Sequence, residues 1–327
     1  MNKMKSKSWA SSLLIMGLML ILINKCSKEK PLTLPVLHTT PLTDITSTSV
    51  ISGGSVTSDG GEIVTMRGVC WAISPNPTVF DNITSNGVGE GNFLSSITGL
   101  KSGTNYYVRA YATNNEGTAY GNEFIFILPV TDIDGNVYNT EIIGTQVWIT
   151  ENLQTTKYAD NTIIPMITDN GGWSNLSSPA YCWYKNDENF NKKNYGALYN
   201  WFAVNTKKLC PTGWYVPNDV EWTILINYVG GENIASGELK ETGTTHWISP
   251  NWEASNEFGF TALPGGYRTG LATGSFRTLG YYGWWWTSSQ YSSTSARACL
   301  MTFDESDIAR GSGLKNNGYS VRCIKDN

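Results

Sequence analysis

Histidine is nearly missing from this chain: 327 residues hold only two, His38 and His246. A Ser-His-Asp triad or a multi-histidine zinc site therefore has almost nothing to draw on. His246, alone in Gly243-Thr-Thr-His-Trp-Ile, reads as a hydrogen-bonded structural residue. Basic clusters are missing too. Lys and Arg total 23 against 27 Asp and Glu, a formal charge of −4. Loss of Lys3, Lys5, Lys7 and Lys25 with a cleaved leader takes the mature chain to about −8, which argues against nucleic-acid binding. Phosphate-cradling loops are absent, since Gly230-Gly231 and Gly265-Gly266 have neither the P-loop nor the dinucleotide spacing. The apolar run from Leu13 to Ile23 is too short for a transmembrane helix. No catalytic-cysteine signature stands out.

What is present is aromatic and glycine-rich: 12% Phe, Trp and Tyr, 33 glycines and only 15% charged residues. That texture fits β-rich, loop-rich extracellular modules, and the length suits two domains behind a leader. Three lysines, the Leu13 to Ile23 run and Cys26, followed by Ser27-Lys28-Glu29-Lys30, resemble a bacterial lipoprotein leader over residues 1–26. The resemblance implies a lipidated Cys26 and membrane attachment through a lipid anchor. Lys25 stands where a small residue is usual, which leaves cleavage after Ala10, or an uncleaved anchor, as alternatives that keep export. Residues 27–40 read as a tether.

Export puts the remaining cysteines in an oxidising compartment. Cys70, Cys182, Cys210, Cys299 and Cys323 are an odd number, so at least one is free. Cys70, in the apolar Val69-Cys70-Trp71, reads as a small buried hydrophobe. The other four allow three pairings, and spacing does not choose among them.

Residues 41–128 show short strands between Gly/Asn/Ser turns, the pattern of an all-β sandwich. Ser49 to Val56, Ile63 to Ile73, Phe93 to Ile97, Thr104 to Ala112 and Thr118 to Ile127 are the expected strands. In the clearest, Tyr106, Val108, Ala110 and Ala112 face one side and Tyr107, Arg109 and Tyr111 the other. Gly99-Leu-Lys-Ser-Gly-Thr-Asn-Tyr106 resembles the tyrosine corner of fibronectin type III domains, with Ser102 at the usual proline. A spacer is the favoured role.

From residue 130 tryptophan-rich segments alternate with long polar loops. Thr131 to Tyr138 and Ile142 to Trp148 read as one β-hairpin, and Tyr195 to Val204 has apolar residues at roughly helical spacing. Asn218 and Glu221 form a capping box, and Trp222, Leu225, Ile226 and Val229 recur at helical spacing until Gly230-Gly231. Asp132-Ile-Asp-Gly135, Trp148 with Glu151-Asn-Leu153, Tyr195-Gly-Ala-Leu-Tyr-Asn-Trp201, Cys210-Pro-Thr-Gly-Trp214, Gly259-Phe-Thr-Ala-Leu-Pro-Gly-Gly-Tyr-Arg268 and Val321-Arg-Cys323 together resemble the Fibrobacter succinogenes major paralogous domain. That family occurs in exported proteins of Bacteroidetes. The resemblance covers 130–327 and implies a C-type-lectin-like α+β fold. Cys210 and Cys323 each lie in one of its motifs, which implies that they are bonded, with Cys182 and Cys299 paired or simply buried. The fold class expected is thus mainly β with some α: a fibronectin/Ig-like β-sandwich followed by a C-type-lectin-like α+β domain.

Chemistry is sparse. Asp132, Asp134 and Asn136 mimic the start of a calcium loop but read as turn residues. Asp304-Glu-Ser-Asp307 reads as a solvated acidic turn, with calcium as the alternative; no other cofactor and no metal site is expected. Strand alternation puts Trp284 and Trp286 on one face and Trp285 on the other, so part of that run is core. Tyr282, Tyr291, Ser293, Arg297, Asp304, Asp307 and Arg310 mix aromatic, hydroxyl and charged groups in the manner of a paratope and are the candidate ligand-binding residues. The function expected is that of an exported, lipid-anchored protein of the outer membrane or cell surface, binding a glycan or a surface protein without catalysis. A polysaccharide-related or formylglycine-generating-like enzyme, or a purely structural surface protein, is the alternative.

Overall fold

The computed structural model describes residues 31–326. Cys26, the leader and the first tether residues lie outside the described residues.

The first unit is a sandwich of two antiparallel sheets. Its strands are β1 (Val36–Thr39), β2 (Ser49–Ser58), β3 (Met66–Ala72), β4 (Asn82–Ile83), β5 (Gly91–Thr98), β6 (Asn105–Asn114), β7 (Gly117–Tyr120) and β8 (Phe124–Ile127). One sheet runs β1-β2-β5 and the other β4-β3-β6-β7, with β8 also on β6. Val108, Ala110 and Ala112 are fully buried, as alternation along β6 requires. The Tyr106 hydroxyl accepts a hydrogen bond from the Lys101 N–H at 3.0 Å, which closes the tyrosine corner.

Two expectations need correction. Tyr111, assigned to the outer face, is completely buried and donates to the Thr84 carbonyl at 2.7 Å. On that same face, the segment after β3 folds back over the sheet. Arg109 Nε donates to the Pro77 carbonyl at 2.6 Å, and Cys70 lies beneath the same carbonyl. The single strand expected from Thr118 to Ile127 is interrupted, because Asn122 turns aside to accept from the Thr39 N–H at 3.0 Å. Gly121 permits the approach: a Cβ there would come 2.6 Å from the Thr39 nitrogen.

The second unit, or head, opens with two hairpins rather than the one expected: β9 (Val130–Thr131) with β10 (Val137–Tyr138), and β11 (Thr140–Ile143) with β12 (Gln146–Ile149). There follow α1 (Asn170–Ser174), β13 (Tyr181–Cys182), α2 (Glu188–Tyr195), β14 (Leu198–Tyr199), α3 (Trp201–Val204), β15 (Trp214–Tyr215), α4 (Asp219–Tyr228) and α5 (Ala235–Leu239). The chain ends with β16 (Tyr267–Arg268), β17 (Phe276–Arg277), β18 (Tyr282–Gln290), β19 (Ser295–Thr302), β20 (Ala309–Leu314) and β21 (Ile324–Lys325). The apolar spacing of Tyr195 to Val204 is not one helix. Gly196, at φ 74°, ends α2, Leu198–Tyr199 pairs with Tyr181–Cys182, and Asn200 caps a new turn by accepting from the Ala203 N–H.

The strand β21 inserts between β12 and β15, so Ile324–Lys325 sit inside a four-stranded sheet. The Cys210–Cys323 disulfide fastens this insertion across a sequence separation of 113. By the chain-entropy model such a closure stabilises by on the order of 4 to 5 kcal/mol. Cys182 and Cys299 are free and buried.

The β18-β19-β20 sheet divides the head core. Trp286, Ala296 and Ala298 face a cluster with Trp201 and Tyr319, whereas Trp285, Cys299 and Met301 face Trp148, Trp222 and Phe260. Trp284 stacks on Tyr319 with ring centroids 4.9 Å apart. All three tryptophans are thus held by packing, and none stands as an open platform.

Candidate functional site

The expected ligand-binding residues do not form one site. Tyr291, Ser293 and Arg297 gather at the tip of the β18–β19 hairpin, while Asp304 and Asp307 follow the far end of β19, where Tyr282 pairs in register with Thr302. At about 3.3 Å per residue, Arg297 and Asp304 are separated by roughly 20 Å. Arg310 lies between them but is not free: its guanidinium pairs with Asp219 and donates to the Asp219 carbonyl at 2.9 Å and to Thr223, pinning β20 to α4. Its role is to hold the helix.

The acidic turn is satisfied from below. Lys240 is fully buried, and its ammonium donates to the Thr302 and Glu305 carbonyls, both at 2.9 Å. Burial lowers this ammonium to about 8, against the pull of Asp304, Glu253, Asp307 and Glu305. A lysine ammonium thus lies beneath this turn; among the described residues no three His, Cys, Asp or Glu side chains are grouped as metal ligands.

Other charged groups are equally engaged. Asp132 accepts from the Asp134 and Asn136 N–H groups and from the Tyr138 hydroxyl. Burial raises the Asp134 carboxyl, but hydrogen bonds from the Thr156 N–H and hydroxyl, Lys157 and Thr155 outweigh it and hold the group below its ordinary value. Asp132 forms its turn as expected, whereas Asp134 ties that turn to the Thr155–Lys157 segment. His246 Nδ1 lies 2.8 Å from Glu241 and its ring meets Tyr195 edge-on. Arg268, fully buried, donates to the carbonyls of Gly274, Ile167 and Thr168. Arg322, also buried, donates to Asn152 Oδ1 and to the carbonyls of Ile149, Phe260 and Thr261. Both motif arginines brace loops.

What remains open is the hairpin tip and the cleft beside it. The Arg297 guanidinium lies 4.4 Å from the centroid of the Tyr291 ring, and Tyr291 is 57% exposed. Arg297 joins no ion pair among the described residues. The tip is held from behind: Lys315 Nζ donates to Gln290 Oε1 and to the Ser293 carbonyl at 3.1 and 3.0 Å, and the Ser292 and Ser295 hydroxyls are 2.7 Å apart. Three residues before Tyr291, Ser288 lines a cleft of ≈ 540 Å³ together with Val204, Asn205, Lys207, Tyr215, Asn218 and Asp326.

The cleft is assembled by local rules. The Asn218 side chain accepts from the N–H groups of Val220 and Glu221, the Glu221 carboxylate accepts from the Asn218 N–H at 2.7 Å, and Ser289 Oγ accepts from Asp219. This is the expected capping box, and it leaves these N-terminal donors of α4 no reason to bind an anion. The Tyr215 hydroxyl donates to Glu221 at 2.7 Å; burial, with the Glu221 charge beside it, raises its pKa well above the ordinary phenol value. The cleft thus offers hydrogen-bonding groups beside the apolar Val204 and Val216. Asn205, Lys207, Tyr215 and Asp326 were not expected here. Tyr215 and Asp326 meet because β21 lies beside β15, and the available signal was the disulfide that fixes that neighbourhood; Asn205 and Lys207 come from the turn that follows α3.

The family model described as the Fibrobacter succinogenes major domain matches residues 142–325. No curated protein sequence matches the chain. Among solved structures, the sensor domain of the anti-sigma factor RsgI4 of Pseudobacteroides cellulosolvens is 16% identical, with 30% of this chain and 97% of that chain covered and a TM-score of 0.24. The sixth fibronectin type III domain of human fibronectin type III domain containing protein 3 is 20% identical, with 31% and 86% covered and a TM-score of 0.23. The fibronectin type III domain of human KIAA0970 is 19% identical, with 28% and 71% covered and a TM-score of 0.21.

Proposed function

Because the chain belongs to the Fibrobacter succinogenes major domain family, we propose that it is an exported, lipid-anchored surface protein whose head binds a glycan or another surface protein without catalysis. The observation that carries this reading is the Tyr291–Arg297 pair, an exposed ring under a guanidinium with no ion-pair partner among the described residues, mounted on a braced hairpin beside a cleft of mixed polar and apolar lining. Rigid aromatics and adaptable polar groups on a fixed scaffold are the means by which binding proteins recognise ligands. The Cys210–Cys323 bond supports an oxidising compartment. Formylglycine-type chemistry draws on an accessible thiolate, whereas Cys182 is buried and burial pushes its thiol up to about 12.

Glycan arrays and surface-protein pull-downs with the purified protein test the binding. Tyr291→Ala and Arg297→Ala should each weaken capture of the ligand so found, by about tenfold or more if they are hot spots. Capture unchanged in both variants would remove this face from the reading. Labelled palmitate should be incorporated in the wild type and lost in Cys26→Ser, and its absence from the wild type would remove the lipid anchor alone.

A further inference from the structure

Helix α4 buries one face and leaves an apolar stripe on the other. Trp222, Leu225 and Ile226 are buried, but Val220, Ile224 and Tyr228 are 68%, 43% and 56% exposed. Their i, i+4, i+8 spacing aligns them along about 12 Å of helix surface. The stripe runs into a groove of ≈ 440 Å³ whose walls include Tyr228, Phe258, Ile142, Glu141 and Glu257, and no lysine or arginine.

The groove is built rather than incidental. The Tyr228 ring rests on the turn of the β11–β12 hairpin at Gly144, where a Cβ would come 2.8 Å from a ring carbon. Phe258 meets Tyr228 edge-on at 5.7 Å. A Cβ on Gly259 would come 3.2 Å from the Glu141 side chain, so glycine there leaves that side chain room at the groove wall. Burial raises the Glu141 carboxyl, and among the described residues neither Glu141 nor Glu257 has an ion-pair partner.

We infer that this surface docks a basic, amphipathic segment of a partner polypeptide, with its apolar residues over Val220 and Ile224 and a lysine or arginine stem lying along Tyr228 and Phe258. The charged head of that residue reaches Glu141 and Glu257. The choice of occupant rests on charge complementarity: an apolar stripe that ends between two unpaired carboxylates matches an aliphatic stem with a cationic end. This goes beyond the binding proposed for the hairpin tip and does not depend on it.

The test uses the full protein and a labelled twelve-residue amphipathic peptide of leucine and lysine, with its leucine–glutamate counterpart as control, read by fluorescence anisotropy. The lysine peptide should bind, and Glu141→Gln with Glu257→Gln should raise its Kd by about tenfold, as should Tyr228→Ser, while Tyr228→Phe stays within about twofold of wild type. The distant pair Glu62→Gln with Glu116→Gln, beside the β6–β7 turn of the sandwich, removes the same charge and should leave the Kd unchanged. Absence of binding, equal binding of the glutamate peptide, or an equal effect of the distant pair would overturn the inference. So would competition for these residues by oligosaccharides, since the groove would then be a sugar site.

Discussion

Replacing Arg322 by lysine keeps the charge and removes the geometry, and it should destabilise the head by about 3 to 5 kcal/mol. The guanidinium donates to four acceptors: Asn152 Oδ1 at 2.9 Å and the carbonyls of Ile149, Phe260 and Thr261 at 3.2, 2.9 and 2.8 Å. It also lies over the Phe260 ring at 4.7 Å. A lysine ammonium is a single point that can serve about two of these acceptors, and each charge-assisted bond lost costs roughly 1.5 to 3 kcal/mol when the acceptor stays buried. Burial pulls Arg322 down to about 9, with Glu151 acting in the opposite sense, so the group is still charged at neutral pH. Urea titration followed by tryptophan fluorescence reads the result, because all the described tryptophans except Trp71 lie in the head. At an m-value near 2 to 3 kcal/mol per molar, the midpoint should fall by roughly 1 to 2 M. Arg277→Lys, an exposed control, should stay within about 0.5 kcal/mol. A loss below about 1 kcal/mol in Arg322→Lys would mean that the loops at 149, 260 and 261 do not need the planar fork, and the reasoning fails.

Removing the disulfide by Cys210→Ala with Cys323→Ala should cost the head about 2 to 5 kcal/mol; a calorimetric trace with an unmoved head transition would contradict this. Arg310→Ala should cost about 1 to 3 kcal/mol by freeing α4 from β20, whereas Arg297→Ala should change stability by less than about 0.5 kcal/mol; chemical denaturation showing equal losses would contradict the division drawn between them. Lys240, lowered to about 8 from an ordinary value near 10.5, makes a pH-dependent contribution. Below pH 8 both states hold the proton and the full cost of burying the charge stands. Between pH 8 and 10.5 the unfolded chain holds it more tightly, so native stability rises with pH. Wild type should therefore gain on Lys240→Met across that window in urea titrations, and a flat difference would show that the ammonium carries no burial cost.

The parts of the fold that follow from short-range rules were legible. Asn218 and Glu221 announced their helix because a capping box is complete within four residues, and Tyr106, Val108, Ala110 and Ala112 announced β6 because period-two alternation is local. The misreadings share a different cause. Tyr111 is buried because a distant segment folds over it, the break at Asn122 exists because Thr39 pulls the chain aside, and Gly196 cuts a helical spacing because Asn152 crowds it. None of these partners is near in sequence. The candidate site divides in the same way: the exposed Tyr291 and the half-buried Arg297 could be selected by composition. The engagement of Arg310 with α4 and of Lys240 with the acidic turn could not, since each depends on tertiary neighbours.

The motifs that define the family and the residues proposed to bind are separated for a physical reason. Asn152, from the Glu-Asn-Leu motif, accepts from Trp285 Nε1 and Arg322 Nε and donates to the Tyr195 carbonyl and Ser320. One buried amide thereby ties together the Trp run, the Val-Arg-Cys end and the start of the Tyr-Gly-Ala block. A group with four buried partners cannot be altered singly without leaving several of them unsatisfied, at about 1 to 3 kcal/mol each. Such residues are fixed by folding and are unavailable for recognition. Tyr291, Ser293 and Arg297 carry no such load and can be exchanged without unsettling the core. Asn152→Ala should therefore abolish cooperative folding of the head, while substitutions at the tip should change what is bound and leave the melting curve in place. Ligand binding lost through Asn152→Ala in a head that still melts as wild type would reverse that assignment.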